Sequence, residues 1–279
     1  MSVRLDCNGA MAEAVGAAGV AREEVEALLP RATAISRDLA TRRAAGTLPF
    51  YDLPYEEKML DAVRTLGSAV RKECETLVVL GIGGSALGTK TAIAALGTEP
   101  KAADIRVADN VDPWEFGALL DQLDLRRTCF NVISKSGETA ETMAQFLLVR
   151  DILLRELGAV EYAKHMIVTT DAEHGALRQV VHDEGFRALP VPDGVGGRFS
   201  VLTPVGLFPM AVGGVRIDDL LAGAAWMDRR CQETDLWKNP GHLLGTLLYL
   251  AETAHQQRAV VLMPYSNRLQ WFTGWFAQL

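Results

Sequence analysis

The chain has no long uninterrupted apolar run, no excess of positive charge, no cysteine pattern and no histidine cluster. Its longest apolar tract, Phe199 to Val215, is broken by Pro204, Pro209 and several glycines, which argues against a membrane span. Lysine and arginine number 28 against 35 aspartates and glutamates, a net charge of -7. Such a balance offers no electrostatic footprint to nucleic acid or to an anionic membrane. An anionic substrate must therefore be held by a local pocket, against the average field. The four cysteines, Cys7, Cys74, Cys129 and Cys231, are widely scattered. They fit buried thiols in a reducing compartment better than a disulfide framework or a zinc site. The five histidines lack metal-ligand spacing. Residues 1–16 hold no basic region followed by an apolar core, so no secretory signal is read. The expected compartment is the cytosol. Internal repeats and low-complexity segments are also missing.

What remains is a chain of 279 residues with 49% hydrophobic and 23% charged side chains, a globular balance. That length suits one large domain or two small ones. Residues 1–62 read as helices: an amphipathic stretch from Arg22 to about Arg43, a Gly- and Pro-bearing loop from Gly46 to Pro54, and a second helix over roughly Tyr55 to Glu73. The pattern then changes. Short apolar runs at Leu77–Leu80, Ile105–Ala108, Cys129–Ile133, Met166–Thr169 and Phe186–Leu189 alternate with helix-length segments such as Glu141–Leu157. Strand-helix alternation at this spacing predicts an α/β fold, a parallel sheet with helices on both faces. Helices resume at Ile217. A last run, Ala259–Met263, reads as a strand that begins a second α/β unit. The expected division is a helical segment over 1–62, an α/β domain over 63–232 and the incomplete start of a second over 233–279. The N-terminal helices and the segment after Thr234 are expected to pack together.

Three segments carry chemistry. Gly81-Ile82-Gly83-Gly84-Ser85-Ala86-Leu87-Gly88 follows the first strand and opens a helix. Glycines let the backbone approach a ligand, and a helix N-terminus offers unpaired N–H groups to an anion. A phosphate, a sugar hydroxyl or a dinucleotide would suit it, the last with Asp109 where a ribose-binding acid would stand. A bare strand-to-helix turn is the plain alternative. Ser134-Lys135-Ser136-Gly137-Glu138-Thr139 decides among these. It too follows a strand and opens a helix. Three hydroxyls, a lysine and a run of helix N-terminal amides within six residues suit a phosphate monoester. Capping by Ser134 or Thr139 explains one hydroxyl but not three. A dinucleotide fold has no need of this second loop. Glu138 puts a carboxylate beside the dianion, so its side chain is expected to turn away into solvent. In Gly196-Gly197-Arg198-Phe199-Ser200 the glycines allow close backbone approach, and Arg198 can direct its fork at an oxyanion or pair with a surface carboxylate. Trp226, Trp237, Trp271 and Trp275 are read as packing residues, and His174 and His242 as residues near helix starts.

Together with Asp109-Asn110-Val111-Asp112-Pro113 and the run on to Leu207, these segments resemble the glucose-6-phosphate isomerase family, particularly its bacterial members, from about Leu77 to Leu279. The glycine and serine motifs occur across sugar-isomerase domains, whereas Gly-Gly-Arg-Phe-Ser is more specific. The resemblance implies two packed sugar-isomerase domains in a homodimer, acting in glycolysis and gluconeogenesis without metal or redox cofactor. It implies that Ser134, Lys135, Ser136 and Thr139 hold the sugar phosphate, that Gly84 and Ser85 line the sugar side and that Gly197 also binds substrate. Arg198 would stabilise an enediolate, and Gln278 would lie close to the reacting carbons. The family's catalytic glutamate would come just after the final residues, with a histidine and a lysine beyond it, so this chain is expected to be a portion without its base. A sugar-phosphate-binding regulator on the same domain is the competing reading, and a dinucleotide-dependent oxidoreductase the third.

Overall fold

A computed structural model describes residues 3–279. Its helices in chain order are α1 (Ala12–Val15), α2 (Arg22–Ala27), α3 (Leu29–Ala44), α4 (Glu57–Glu73), α5 (Leu87–Leu96), α6 (Pro113–Asp121), α7 (Ala140–Leu157), α8 (Ala176–Glu184), α9 (Pro204–Val212), α10 (Ile217–Cys231), α11 (Pro240–Thr253) and α12 (Gln270–Gln278). The strands are β1 (Thr76–Leu80), β2 (Asp104–Ala108), β3 (Thr128–Ile133), β4 (Met166–Thr170) and β5 (Arg187–Pro190). The chain forms two compact units, one of residues up to Tyr51 with Ala222–Leu262, the other of Asp52–Leu221 with Met263–Leu279.

In the helical unit, Met11, Val20, Val25, Leu236, Leu243, Leu247 and Leu250 make one small core. The single helix expected from Arg22 to Arg43 is broken at Leu28. Pro30 is the cause: it has no N–H to return to a preceding turn, so it serves at the start of a new helix instead.

The other unit is the expected α/β domain. Its five strands are all parallel, in the order β2-β1-β3-β4-β5. Side chains alternate across a strand, and β1 shows what each face meets. Leu77 and Val79 join a core with Leu60 and Val63 of α4 and Leu207, Phe208 and Met210 of α9. Val78 and Leu80 join one with Phe146 and Val149 of α7 and Leu177 of α8. Both faces are covered, which is why β1, β3 and β4 read as continuous apolar runs rather than alternating ones. The tract from Phe199 to Val215 is resolved as a short turn followed by α9, whose residues are all buried except Ala211. It is thus a core helix, and among the described residues no helix is long and apolar enough to cross a membrane.

Two expectations are corrected. Ala259–Met263 is not a strand. Strand geometry needs a neighbour to take its N–H and C=O groups, and none lies beside this segment among the described residues. Val261, at 73% exposure, has no apolar surface to pack against. Met263–Leu279, expected in the second unit with residues from 233 on, belongs to the sheet unit, where α12 lies on α5. The four cysteines are free thiols, with Cys74 and Cys129 buried.

Candidate active site

The strand order reverses direction once. From β1 the chain passes to β2 on one side, then returns to β3, β4 and β5 on the other. At such a switch point the loops leaving neighbouring strands run apart and open a crevice at the carboxyl ends of the strands, where open parallel sheets take ligands. The two loops beside this crevice are the glycine loop after β1 and the serine loop after β3. A cleft of about 540 Å³ lies there, within the usual size range of small-molecule sites. Its wall is Ile82, Gly84, Ser85, Ser134, Lys135, Ser136, Glu138, Thr139, Asp171, His174, Gly175 and Gly197.

Seven of the nine residues singled out in the sequence thus meet around one cleft: Gly84, Ser85, Ser134, Lys135, Ser136, Thr139 and Gly197. The serine loop is tied internally. Gly137 N donates to Ser134 Oγ at 3.1 Å, Glu138 N donates to Ser136 Oγ at 3.2 Å, and Ser134 Oγ lies 3.3 Å from Thr139 Oγ1. Lys135 Nζ reaches over to the Val195 carbonyl at 3.2 Å. Thr139 sits at the N-cap position of α7 but makes no side-chain capping bond. The eighteen-residue helix α7 thus starts at the cleft wall, at Thr139, without a side-chain cap for its first-turn N–H groups. An anion is the natural partner of such a helix end.

Glycine fixes the loop packing at two positions. A Cβ on Gly137, where φ is +72°, would stand 2.5 Å from Leu177 N, and one on Gly175, where φ is +97°, 2.5 Å from Ser136 O. The first turn of α8 and the loop that leads into it are pressed onto the serine loop at these two points. That contact brings Asp171 and His174 into the wall, two residues the sequence reading left aside. Asp171 Oδ1 accepts from Glu173 N at 3.0 Å and from His174 N at 2.9 Å, and these backbone bonds hold its carboxyl below the ordinary range. A usable signal existed: every loop that follows a strand of a parallel sheet emerges at the same end. Glu138, expected to turn away, is exposed but still contributes to the wall.

Arg198 and Gln278 stand differently. The Arg198 side chain is exposed, and its Nε donates to the main-chain carbonyl of Gln278 at 2.9 Å. Gln278 comes so close to the glycine loop that a Cβ on Gly83 would lie 2.7 Å from its Nε2. Its Oε1 is buried and makes no hydrogen bond within the chain. Asp109, the residue a dinucleotide would need for its ribose, is held by Lys90 Nζ at 2.9 Å. Among the described residues no three His, Cys, Asp or Glu side chains gather as metal ligands.

The model of the phosphoglucose isomerase family matches residues 56–279. A glucose-6-phosphate isomerase of Carboxydothermus hydrogenoformans is 37% identical over 290 aligned positions, with all of this chain and 62% of the relative covered. One of Thermus thermophilus is 41% identical over 87% of this chain and 57% of its own length. The chain thus spans about three-fifths of the length of these curated relatives. Among solved structures, a hypothetical protein of Thermus thermophilus superposes with a TM-score of 0.83 at 36% identity, over 92% of this chain and 60% of that one. A glucose-6-phosphate isomerase of Chlamydia trachomatis gives 0.72 at 27% identity, over 81% and 43%. By the extent of the family match and by these relatives, the chain belongs to the phosphoglucose isomerase family.

Proposed function

We propose that this chain carries the sugar-phosphate-binding part of an enzyme that interconverts glucose 6-phosphate and fructose 6-phosphate through an enediolate. The observation that carries the reading is the serine loop: hydroxyls, a lysine and the uncapped start of α7 set at the switch point of the sheet, in a chain of this family. The phosphate lies against Ser134, Lys135, Ser136 and Thr139, and the sugar runs along Gly84, Ser85 and Gly197. Arg198 and Gln278 flank the sugar end, where charge develops as the C2 proton leaves. A guanidinium beside that charge lowers the barrier, because the stabilisation grows as the enediolate forms. A homodimer in the complete protein and a cytoplasmic location belong to the same reading. The free cysteines support the location, and family membership supports the dimer.

Calorimetric titration of the 279-residue chain with fructose 6-phosphate, inorganic phosphate and NAD tests the reading. The first two are expected to bind and to compete, and NAD to give no heat. In the double variant Ser134→Ala, Thr139→Ala the sugar phosphate should weaken by about 1–2 kcal/mol per lost hydrogen bond. Unchanged affinity in a folded double variant would remove this loop from the site, and NAD binding in place of phosphate would favour the oxidoreductase reading.

A further inference from the structure

Helix α12 ends at the sugar side of the cleft, and both parts of that wall meet its last turn. The Gln278 carbonyl takes the Arg198 Nε bond, one residue from Gly197, and the Gln278 amide abuts Gly83, one residue from Gly84. Gln278 therefore bridges the glycine loop and the Gly197–Arg198 turn where these two stretches meet. What fixes α12 lies at its other end. Lys90, on α5, places its Nζ 3.9 Å from the centre of the Trp271 ring. The same ammonium is held at 2.9 Å by Asp109 Oδ2, and both partners are about a quarter exposed. Thr91 Oγ1, next in the chain, donates to the Trp271 carbonyl at 3.1 Å. A cation over an indole face is attracted by the ring quadrupole, more strongly where it is partly shielded from water. Asp109 keeps the ammonium over the ring rather than in solvent. Nothing in the serine loop takes part in this arrangement.

We propose that Asp109, Lys90 and Trp271 form a clamp that positions α12, and through Gln278 the sugar side of the cleft, without touching the ligand. They are positioning residues that confer preference for a sugar phosphate over inorganic phosphate. The inference rests on the reading of the cleft as a sugar-phosphate site. Asp109, which an oxidoreductase would spend on a ribose, is here spent on helix placement.

The test compares inorganic phosphate with fructose 6-phosphate on the 279-residue chain and on Lys90→Gln, Asp109→Asn, Trp271→Leu and Lys90→Arg. Inorganic phosphate reads the serine loop alone and is expected to bind all five proteins within about twofold. The preference for fructose 6-phosphate is expected to fall about fivefold or more in the first three. Lys90→Arg is expected to keep it, since a guanidinium also stacks on indole and pairs with a carboxylate. Hydrogen exchange at the amides of Trp275–Gln278 is expected to quicken in the same three variants and to stay slow in Lys90→Arg. Proportional loss of both ligands would mean a general structural role and overturn the clamp, as would an unchanged preference in folded Lys90→Gln and Trp271→Leu. Failure of the unaltered chain to bind either ligand would instead sink the sugar-phosphate reading. The clamp is then judged by exchange alone, and unchanged exchange at α12 refutes it.

Discussion

A coupled assay on the purified 279-residue chain is expected to show turnover of fructose 6-phosphate roughly 10²–10⁴-fold below that of the Carboxydothermus hydrogenoformans relative, while binding persists. The ground is the composition of the cleft. The proton on C2 of a sugar is weakly acidic, and its removal requires a base within about 2.6–3.2 Å. The cleft wall contains two carboxylates, Glu138 and Asp171. Both stand by the serine loop: Glu138 is part of it, and Asp171 N donates to the Lys135 carbonyl at 3.2 Å. A ligand whose phosphate occupies that loop keeps C2 away from both. Asp171 is also a poor base. Two backbone N–H groups stabilise its ionised form and hold its pKa below the ordinary value, so its affinity for a proton is reduced. The part of the wall proposed for the sugar, Gly84, Ser85 and Gly197, adds no carboxylate. His174 is the one imidazole in the wall, and a His174→Gln variant shows whether any residual turnover passes through it. The sample is checked by mass so that no longer protein contributes. Turnover within about tenfold of the relative, with His174→Gln equally active, would mean that a group already present acts as base and that this account of the cleft is wrong.

The legible parts of this protein are those in which local chemistry and tertiary role coincide. The strands could be read because burial on both faces demands continuous apolar side chains, as Leu77-Val78-Val79-Leu80 shows. The glycine and serine loops could be read because each follows such a strand, and the parallel sheet then sends both to one end. Ala259–Met263 has the same local composition but no neighbouring strand, and composition alone cannot distinguish the two cases. Asp171 and His174 were missed for a different reason. Nothing in Asp171-Ala172-Glu173-His174 resembles a ligand-binding run, and its place in the wall comes from close packing at Gly137 and Gly175, residues distant in sequence. Met263–Leu279 is tied to the sheet unit by residues scattered in sequence: Lys90 and Thr91 on α5, with Asp109 after β2 holding the lysine, and Arg198 at the far end of α12. No motif announces contacts of that kind.

Gly84→Ala is expected to damage the sugar side of the cleft severely for a single added methyl. The glycine loop and the Gly197–Arg198 turn approach each other backbone to backbone. A Cβ on Gly84 would stand 2.5 Å from the Gly197 carbonyl carbon and 3.0 Å from Arg198 N, and closer still to the Gly197 oxygen. Side-chain tips can swing aside, but these are main-chain atoms, and both stretches are anchored. Ser85 N donates to the Ile82 carbonyl at 3.1 Å on one side, and Ser200 Oγ donates to the Gly197 carbonyl at 2.7 Å on the other. Accommodation therefore requires the two walls to separate, at a cost of about 1–3 kcal/mol, as for an overpacked core. Separation also pulls Arg198 from the Gln278 carbonyl, so the sugar side loses its shape as well as its support. Fructose 6-phosphate affinity is expected to fall about tenfold, equivalent to about 1.4 kcal/mol. Inorganic phosphate, held at the opposite loop, should be affected far less. Gly196→Ala supplies the control two residues from Arg198. Its φ of -73° suits alanine and no atom lies within 4 Å of the added carbon. Its effect should be neutral or stabilising by less than about 1 kcal/mol, through the unfolded chain. Urea denaturation and paired titrations of the two variants measure both quantities. If Gly84→Ala matches Gly196→Ala in stability and in sugar-phosphate affinity, the close approach at Gly84 does not shape the site.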